Sequence, residues 1–262
     1  MSLPTDDACH STNKPENILA ASGTKGKIQK GYSNANCFIH PHTNNLYFYR
    51  QPDKLVKYDT KGNYLGQVNL PQKISPSLYF TFSDSLILAH YGEGIGQPQA
   101  SALLYFNEQG EIKDSLPEFA NPGNPMGMDQ ISSINVFKQL PGNANIGGLI
   151  YINYQNGTMT VLPIDQPSLW LSNGSIRFRK AFNDTIYDIK GHEATVHTTF
   201  HTRQWHFPAE KMGQKEDTDK YIVITSILET PNHLFFISLQ GLYDKKNRST
   251  VFTTKKTYYL YE

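Results

Sequence analysis

The sequence predicts an all-β protein, a β-propeller of five or six blades, each blade a four-stranded antiparallel sheet. Three observations carry this. No window of the 262 residues shows a sustained i, i+3, i+4, i+7 apolar stripe with caps. Aromatic β-formers are abundant, with 16 Tyr and 14 Phe, and 19 Gly and 15 Pro punctuate the chain along its length. A turn followed by an apolar-aromatic run also recurs, anchored at Leu46, Leu86, Leu149, Ile186 and Leu234 with spacings of 40, 63, 37 and 48. A unit of about 40 to 50 residues with four short strands is a propeller blade. The long spacing contains the Pro/Gly-rich stretch 121–127, a loop between blades.

The elements follow in chain order. Residues 1–30 read as an N-terminal extension and a possible closing strand, and 31–262 as the propeller domain. Two hairpins are explicit. Leu55-Val56-Lys57-Tyr58 turns at Asp59-Thr60-Lys61-Gly62 and returns through Tyr64-Leu65, and Leu103-Leu104-Tyr105-Phe106 turns at Asn107-Glu108-Gln109-Gly110 before Ile112. Each places Gly where the turn needs a positive φ. The apolar runs at 221–228 and 233–239 have strand length, far short of the roughly 20 residues that span a bilayer as a helix. One short helix is expected, at 208–212, opened by Pro208 and stopped by Gly213.

Composition bounds the partners. With 24 Lys+Arg against 23 Asp+Glu the net charge is +1, and no basic face is evident for a polyanion, so nucleic acid is not an expected partner. The first seven residues have neither the basic nor the apolar region of a secretory signal. Cys9 and Cys37 are too few for a disulfide scaffold and lack CxxC spacing. The residues before Cys9 are not the apolar segment that precedes a lipidated cysteine.

The stretch Lys57-Tyr58-Asp59-Thr60-Lys61-Gly62-Asn63-Tyr64-Leu65-Gly66-Gln67 resembles the hairpin of NHL-type propeller repeats. With Arg179, Asn183-Asp184-Thr185-Ile186-Tyr187-Asp188, Glu229-Thr230 and Tyr243-Asp244, it makes the chain similar to the six-bladed NHL/TolB-like propeller lipoproteins of the Bacteroidota cell envelope. The resemblance implies a periplasmic or outer-membrane-associated protein of uncharacterised function, attached to a membrane only through a lipid anchor that this chain lacks. It implies no catalytic residues. Five anchors leave the chain one blade short of six, as in a shortened member.

Candidate chemistry is sparse. Four histidines, His192, His197, His201 and His206, fall within 15 positions. On one strand, however, His197 and His201 would stand about 13 Å apart, too far to share an ion. His40 and His42, at i and i+2 on an extended segment, are the weak metal candidates, without a third donor in sequence reach. Gly92-Glu93-Gly94-Ile95-Gly96 lacks the helix start a phosphate loop needs. No Gly-x-Ser-x-Gly, His-Glu-x-x-His or Asp-rich calcium loop occurs. Asp84, Asp114 and Asp184 read as turn formers through side chain to backbone hydrogen bonds. Each is followed by Ser or Thr and an apolar residue, which resembles the O-glycosylation acceptor of Bacteroidota envelope proteins.

The reading is therefore a binding or scaffolding module for a glycan, peptide or protein partner, with no cofactor. Its expected ligand loops carry Glu93, Gln97, Asn124 and Asp129, and Trp170, Trp205 and Tyr258, Tyr259 and Tyr261 are candidate stacking surfaces. The rivals are a lactonase- or lyase-like propeller enzyme with a channel metal, and a shortened propeller without independent activity.

Overall fold

A computed structural model describes residues 37–50, 53–71, 78–91, 103–116, 130–138, 148–157, 159–164, 168–180, 183–208, 220–240 and 255–261. Among them the chain forms eighteen strands in five antiparallel sheets, and every sheet takes its strands in chain order. Three sheets have four strands, β1–β4, β5–β8 and β12–β15; β9–β11 and β16–β18 have three. The protein is all-β, and no helix among the described residues is long and apolar enough to cross a membrane. The chain divides into two compact units, Met1–Gly94 with Gln99–Pro122, and Ile95–Pro98 with Gly123–Glu262.

The first unit holds β1 (Cys37–Ile39), β2 (Leu46–Arg50), β3 (Lys54–Tyr58), β4 (Tyr64–Asn69), β5 (Leu78–Ser83), β6 (Leu86–Tyr91), β7 (Leu103–Phe106) and β8 (Ile112–Leu116). Strand alternation sorts its side chains. Tyr47, Tyr49, Leu55 and Val68 face the second sheet and pack with Phe80, Phe82, Ile87, Ala89, Tyr91, Leu104 and Phe106. Leu46, Phe48, Val56 and Tyr58 point to the opposite face and form a second cluster. The central strands are thus covered on both sides, which is why they read as unbroken apolar runs. β4 and β8 are the outer strands, and their exposed positions mix polar residues, Gln67, Asn69 and Lys113, with the apolar Leu65 and Ile112.

The two expected hairpins form β3–β4 and β7–β8 and share one chemistry. Asp59 Oδ1 accepts the backbone N–H groups of Lys61 and Asn63 at 2.9 and 2.8 Å, and Gly62 takes φ 84°. Asn107 Oδ1 likewise accepts from Gln109 and Glu111 at 3.1 and 2.9 Å, with Gly110 at φ 83°. The side chain replaces a backbone acceptor, and glycine supplies the left-handed step. Gly110 is also a site of close approach, because a Cβ there would meet the carbonyl oxygen of Asn69 at 2.4 Å.

The second unit holds β9 (Ile131–Lys138), β10 (Gly148–Tyr154), β11 (Met159–Ile164), β12 (Leu169–Ser172), β13 (Ser175–Phe178), β14 (Thr185–Lys190), β15 (Glu193–Thr199), β16 (Ile222–Glu229), β17 (Leu234–Gln240) and β18 (Lys255–Tyr261). Four of the five repeat anchors lie on the second strand of their sheet, but Ile186 lies on β14, the third strand of its own. The second strand there is β13, reached through Asn173 and Gly174 at φ 49° and 74°. That pair is an Asn-Gly hairpin turn of the primed type, a strong local signal that the repeat alignment passed over. β15 ends at Thr199, so His197 and His201 do not share a strand. Phe200 and His201 follow in irregular chain, and Arg203–Trp205 make a single 3-10 turn. Of the expected helix at 208–212, only Pro208 is described, and it is irregular.

Candidate functional site

Glu93, Gln97, Asn124 and Asp129 lie outside the described residues. His40 and His42 do come together, their ring centroids 5.9 Å apart. They do not converge on a common point: His40 Nδ1 accepts the backbone N–H groups of His42 and Thr43 at 3.2 and 3.3 Å. Its lone pair is committed to its own turn. Among the described residues, no group of three His, Cys, Asp or Glu is placed to hold a metal ion.

A different set of polar residues is assembled on the sheet β12–β15. Trp170 on β12 opposes Arg177 on β13, which opposes Asp188 on β14, so three side chains form one cross-strand row. Pairing between β14 and β15 then shifts: Ile186 opposes Thr198 while Tyr187 opposes Val196, leaving His197 as the extra residue of a β-bulge. The bulge sets His197 beside Asp188, with Nδ1 3.5 Å from Oδ2. The neighbouring sheet supplies Glu229, the last residue of β16.

Glu229 is nearly buried and is held from three sides. Trp170 Nε1 donates to Oε2 at 2.9 Å, and Arg177 donates through Nε at 3.1 Å and through its terminal nitrogen at 3.1 Å to Oε1. His197 Nε2 stands 3.8 Å from the same oxygen. Arg177 also pairs with Asp188. Its side chain is 7% exposed, and Asp188 and His197 are 34% and 33% exposed. The row therefore has a buried floor, Arg177 and Glu229, and an open rim, Asp188, His197 and half-buried Trp170. Two carboxylates face one guanidinium, and the His197 imidazole lies within 4 Å of both carboxylates. The floor satisfies the rule that buried charge must be paired and hydrogen-bonded.

A second arrangement braces the same region. Asp184 Oδ2 accepts from the hydroxyl of Thr202 and lies 2.7 Å from His206 Nδ1. The Asp184 side chain is thus spent on the segment after β15. Asp114 does cap a neighbouring backbone N–H, that of Ser115 at 2.7 Å, but inside β8 and not in a turn. Asp84 sits in the β5–β6 turn with φ 52°. Arg179 is fully enclosed, donating to the carbonyls of Asn183 at 2.8 Å and Ile224 at 2.9 Å. Burial pulls its guanidinium down to about 10, opposed by the nearby charge of Asp184.

The polar group of the first unit lies between its two sheets. Glu108, in the β7–β8 turn, accepts from the Tyr47 hydroxyl at 2.7 Å and from Lys57 Nζ at 2.6 Å. Burial resists ionisation of Glu108, yet these two donors outweigh it and hold the carboxyl below its usual range. Burial, then Glu108, pushes the Tyr47 hydroxyl well above its usual range.

The sequence offers Trp170 as a stacking surface, and Asp188 and Glu229 fall in the segments that carry the family resemblance. Regular strand geometry sets His197 aside, and no motif singles out Arg177. The missed signal was the parity of Trp170, Arg177 and Asp188 across two consecutive hairpins, which needs the Asn173-Gly174 turn to be recognised first. Cys37 is disulfide-bonded; Cys9 lies outside the described residues.

No curated protein matches this sequence. Among solved structures the chain is similar to a Bacteroides fragilis protein predicted to be exported, with a TM-score of 0.51 and 16% identity, covering 90% of this chain and 61% of that one. The chain thus spans about three fifths of that protein's length. Fainter likenesses are to PorZ, a surface component of the type-IX secretion system of Porphyromonas gingivalis, at TM-score 0.27, 13% identity and 85% and 26% coverage. The PQQ-bound aldose sugar dehydrogenase of Streptomyces coelicolor follows at 0.28, 10%, 91% and 82%. The family model described as Domain of unknown function (DUF4934) matches residues 23–261, nearly the whole chain, and the chain belongs to that family.

Proposed function

We propose that this chain is an extracytoplasmic β-propeller domain that binds a partner through the rim of the Trp170–Arg177–Asp188–His197 row. The propeller reading is supported by sheets that each take consecutive strands in chain order, the organisation of blades. An oxidising compartment, periplasmic or at the outer membrane, suits a disulfide-bonded Cys37. Residues 1–30 would then supply the closing strand. The observation that carries the binding reading is the Asp188 carboxylate on a partly exposed rim. The Asp188 side chain is about one third exposed, its Oδ2 lies 3.5 Å from His197 Nδ1, and the half-buried Trp170 stands on the far side of Arg177 in the same cross-strand row.

A carboxylate and an indole carried on one row can receive a basic side chain, by ion pairing and by cation–π contact. Among the partner classes that the sequence allows, a peptide or protein segment presenting Lys or Arg therefore fits better than a neutral glycan. Isothermal titration of the purified chain with a Lys/Arg-containing peptide and with a neutral tetrasaccharide tests this. Peptide binding that is lost in Asp188→Asn, with no sugar binding, is the expected result. Saccharide binding that survives Asp188→Asn, or failure of both probes to bind, would overturn it.

A further inference from the structure

The turn joining β1 to β2 is built around the ring of His40. Its Nδ1 accepts two backbone N–H groups, from His42 at 3.2 Å and Thr43 at 3.3 Å, while the backbone N–H of His40 donates to the carbonyl of Asn45 at 2.9 Å. Asn44 completes the turn at φ 56°. An N–H can point at a ring nitrogen only while that nitrogen keeps its lone pair. Protonation of His40 puts a hydrogen on each ring nitrogen, and both turn hydrogen bonds are lost together; rotating the ring does not restore them.

The surroundings work in the same direction. Phe82 from β5 packs against the ring at 4.5 Å between centroids, and Tyr47 from β2 lies at 6.5 Å. The charged and titratable groups that face it are His42 on its own turn, Lys57 from β3 and Glu108 from the β7–β8 turn. Lys57 and His42 oppose a positive ring. Glu108 would favour one, but its Oε1 already receives Lys57 and Tyr47. Burial first, then His42 and Lys57, hold the His40 imidazole below its usual value. β1 has three residues and sits at the edge of its sheet, paired only to β2 among the described strands, so this turn is one of its few ties besides Phe38 against Phe80 and the Cys37 disulfide.

We propose that the β1–β2 turn is a proton-operated latch, closed when His40 is neutral and released in acid together with the edge strand β1. The sign follows from linkage. A histidine whose folded value is depressed leaves the unlatched chain holding more protons, so the latch is at full strength above the ordinary imidazole range. It weakens as pH falls from about 6.5 through the folded value. Release would uncover the edge of β2, a row of backbone groups able to pair with another strand.

Amide hydrogen exchange and ¹H–¹⁵N spectra of the full chain between pH 8 and pH 5 test the latch, with the His40 ring followed in the same samples. Corrected for intrinsic exchange, protection of His42 and Thr43 should fall by up to about tenfold per pH unit across the His40 titration, while β6 and β7 stay protected. His40→Asn supplies a side-chain oxygen that accepts the same N–H groups without titrating, so its turn should be flat with pH. His42→Gln should keep the acid response. A wild-type turn unchanged while His40 titrates would overturn the latch, as would an acid response retained in His40→Asn or abolished in His42→Gln. The wild-type measurement decides the matter even where a variant fails to fold.

Discussion

The two units are both built from antiparallel sheets that take their strands in chain order, and they are held by different forces. In the first, the interior between the sheets is a wall of large apolar and aromatic side chains, Tyr47, Tyr49, Phe80, Phe82 and Phe106 among them, and the ions sit at its margin on Glu108. In the second, two arginines are inside. Arg177 and Arg179 are each 6% exposed, and Ser168, Ser172, Thr225 and Ser238 are buried with them. Hydrophobic burial is non-directional and is not screened by salt as charge pairs are. A buried guanidinium holds only against specific partners, and it punishes the removal of any one of them. The first unit is therefore expected to answer to lost apolar volume, and the second to the loss of particular partners.

The contrast breaks most sharply at Arg177. Arg177→Met leaves Asp188 and Glu229 facing each other without their cation and should cost about 3–5 kcal/mol. Exchange confined to the second unit reads this better than one global transition, because two units need not unfold together. A neutral effect would mean that packing and not charge joins β12–β15 to β16. In the first unit Leu55→Ala, at a fully buried position, should cost about 3 kcal/mol and keep that cost in 1 M salt. Gly110→Ala should cost about 2 kcal/mol, since it combines left-handed strain with a collision at Asn69. The smallest effect belongs to Asn173→Ala, about 1 kcal/mol by denaturation, from the left-handed position that asparagine tolerates. Asn173→Gly should recover that loss, and failure to recover it would show that the asparagine side chain itself does the holding.

The first unit was the more legible of the two. Its hairpins announce themselves because Asp59 and Asn107 each sit three residues before a glycine, and its inner strands are runs of apolar residues that need both faces covered. The second unit hides its organisation. Ile186 looks like a repeat anchor because Asn183-Asp184 precede an apolar run, yet Asp184 is occupied with Thr202 and His206, and the strand in the equivalent place is β13. His197 was unreadable for a physical reason: period-two reasoning assumes an unbroken ladder, and the bulge opposite Ile186 and Tyr187 is what sets the ring against Asp188. Glu229 comes from another sheet, a neighbour that no local pattern specifies. His40 and His42 stand near each other across a turn and not along an extended segment, and the backbone between them claims the nitrogen that a metal would need.

The chain-order sheets carry a consequence for how this molecule is made. Each described sheet is completed before the next begins, so almost every pairing joins strands close in sequence and closes a short loop. A chain emerging N-terminus first, from a ribosome or through a membrane pore, can therefore settle one sheet at a time without storing unpaired strands for a distant partner. The cross-sheet clasps come last: Glu229 reaches Arg177 only after some fifty further residues have emerged. Until then Arg177 has Asp188 alone as its carboxylate partner, and the floor of the row is incomplete.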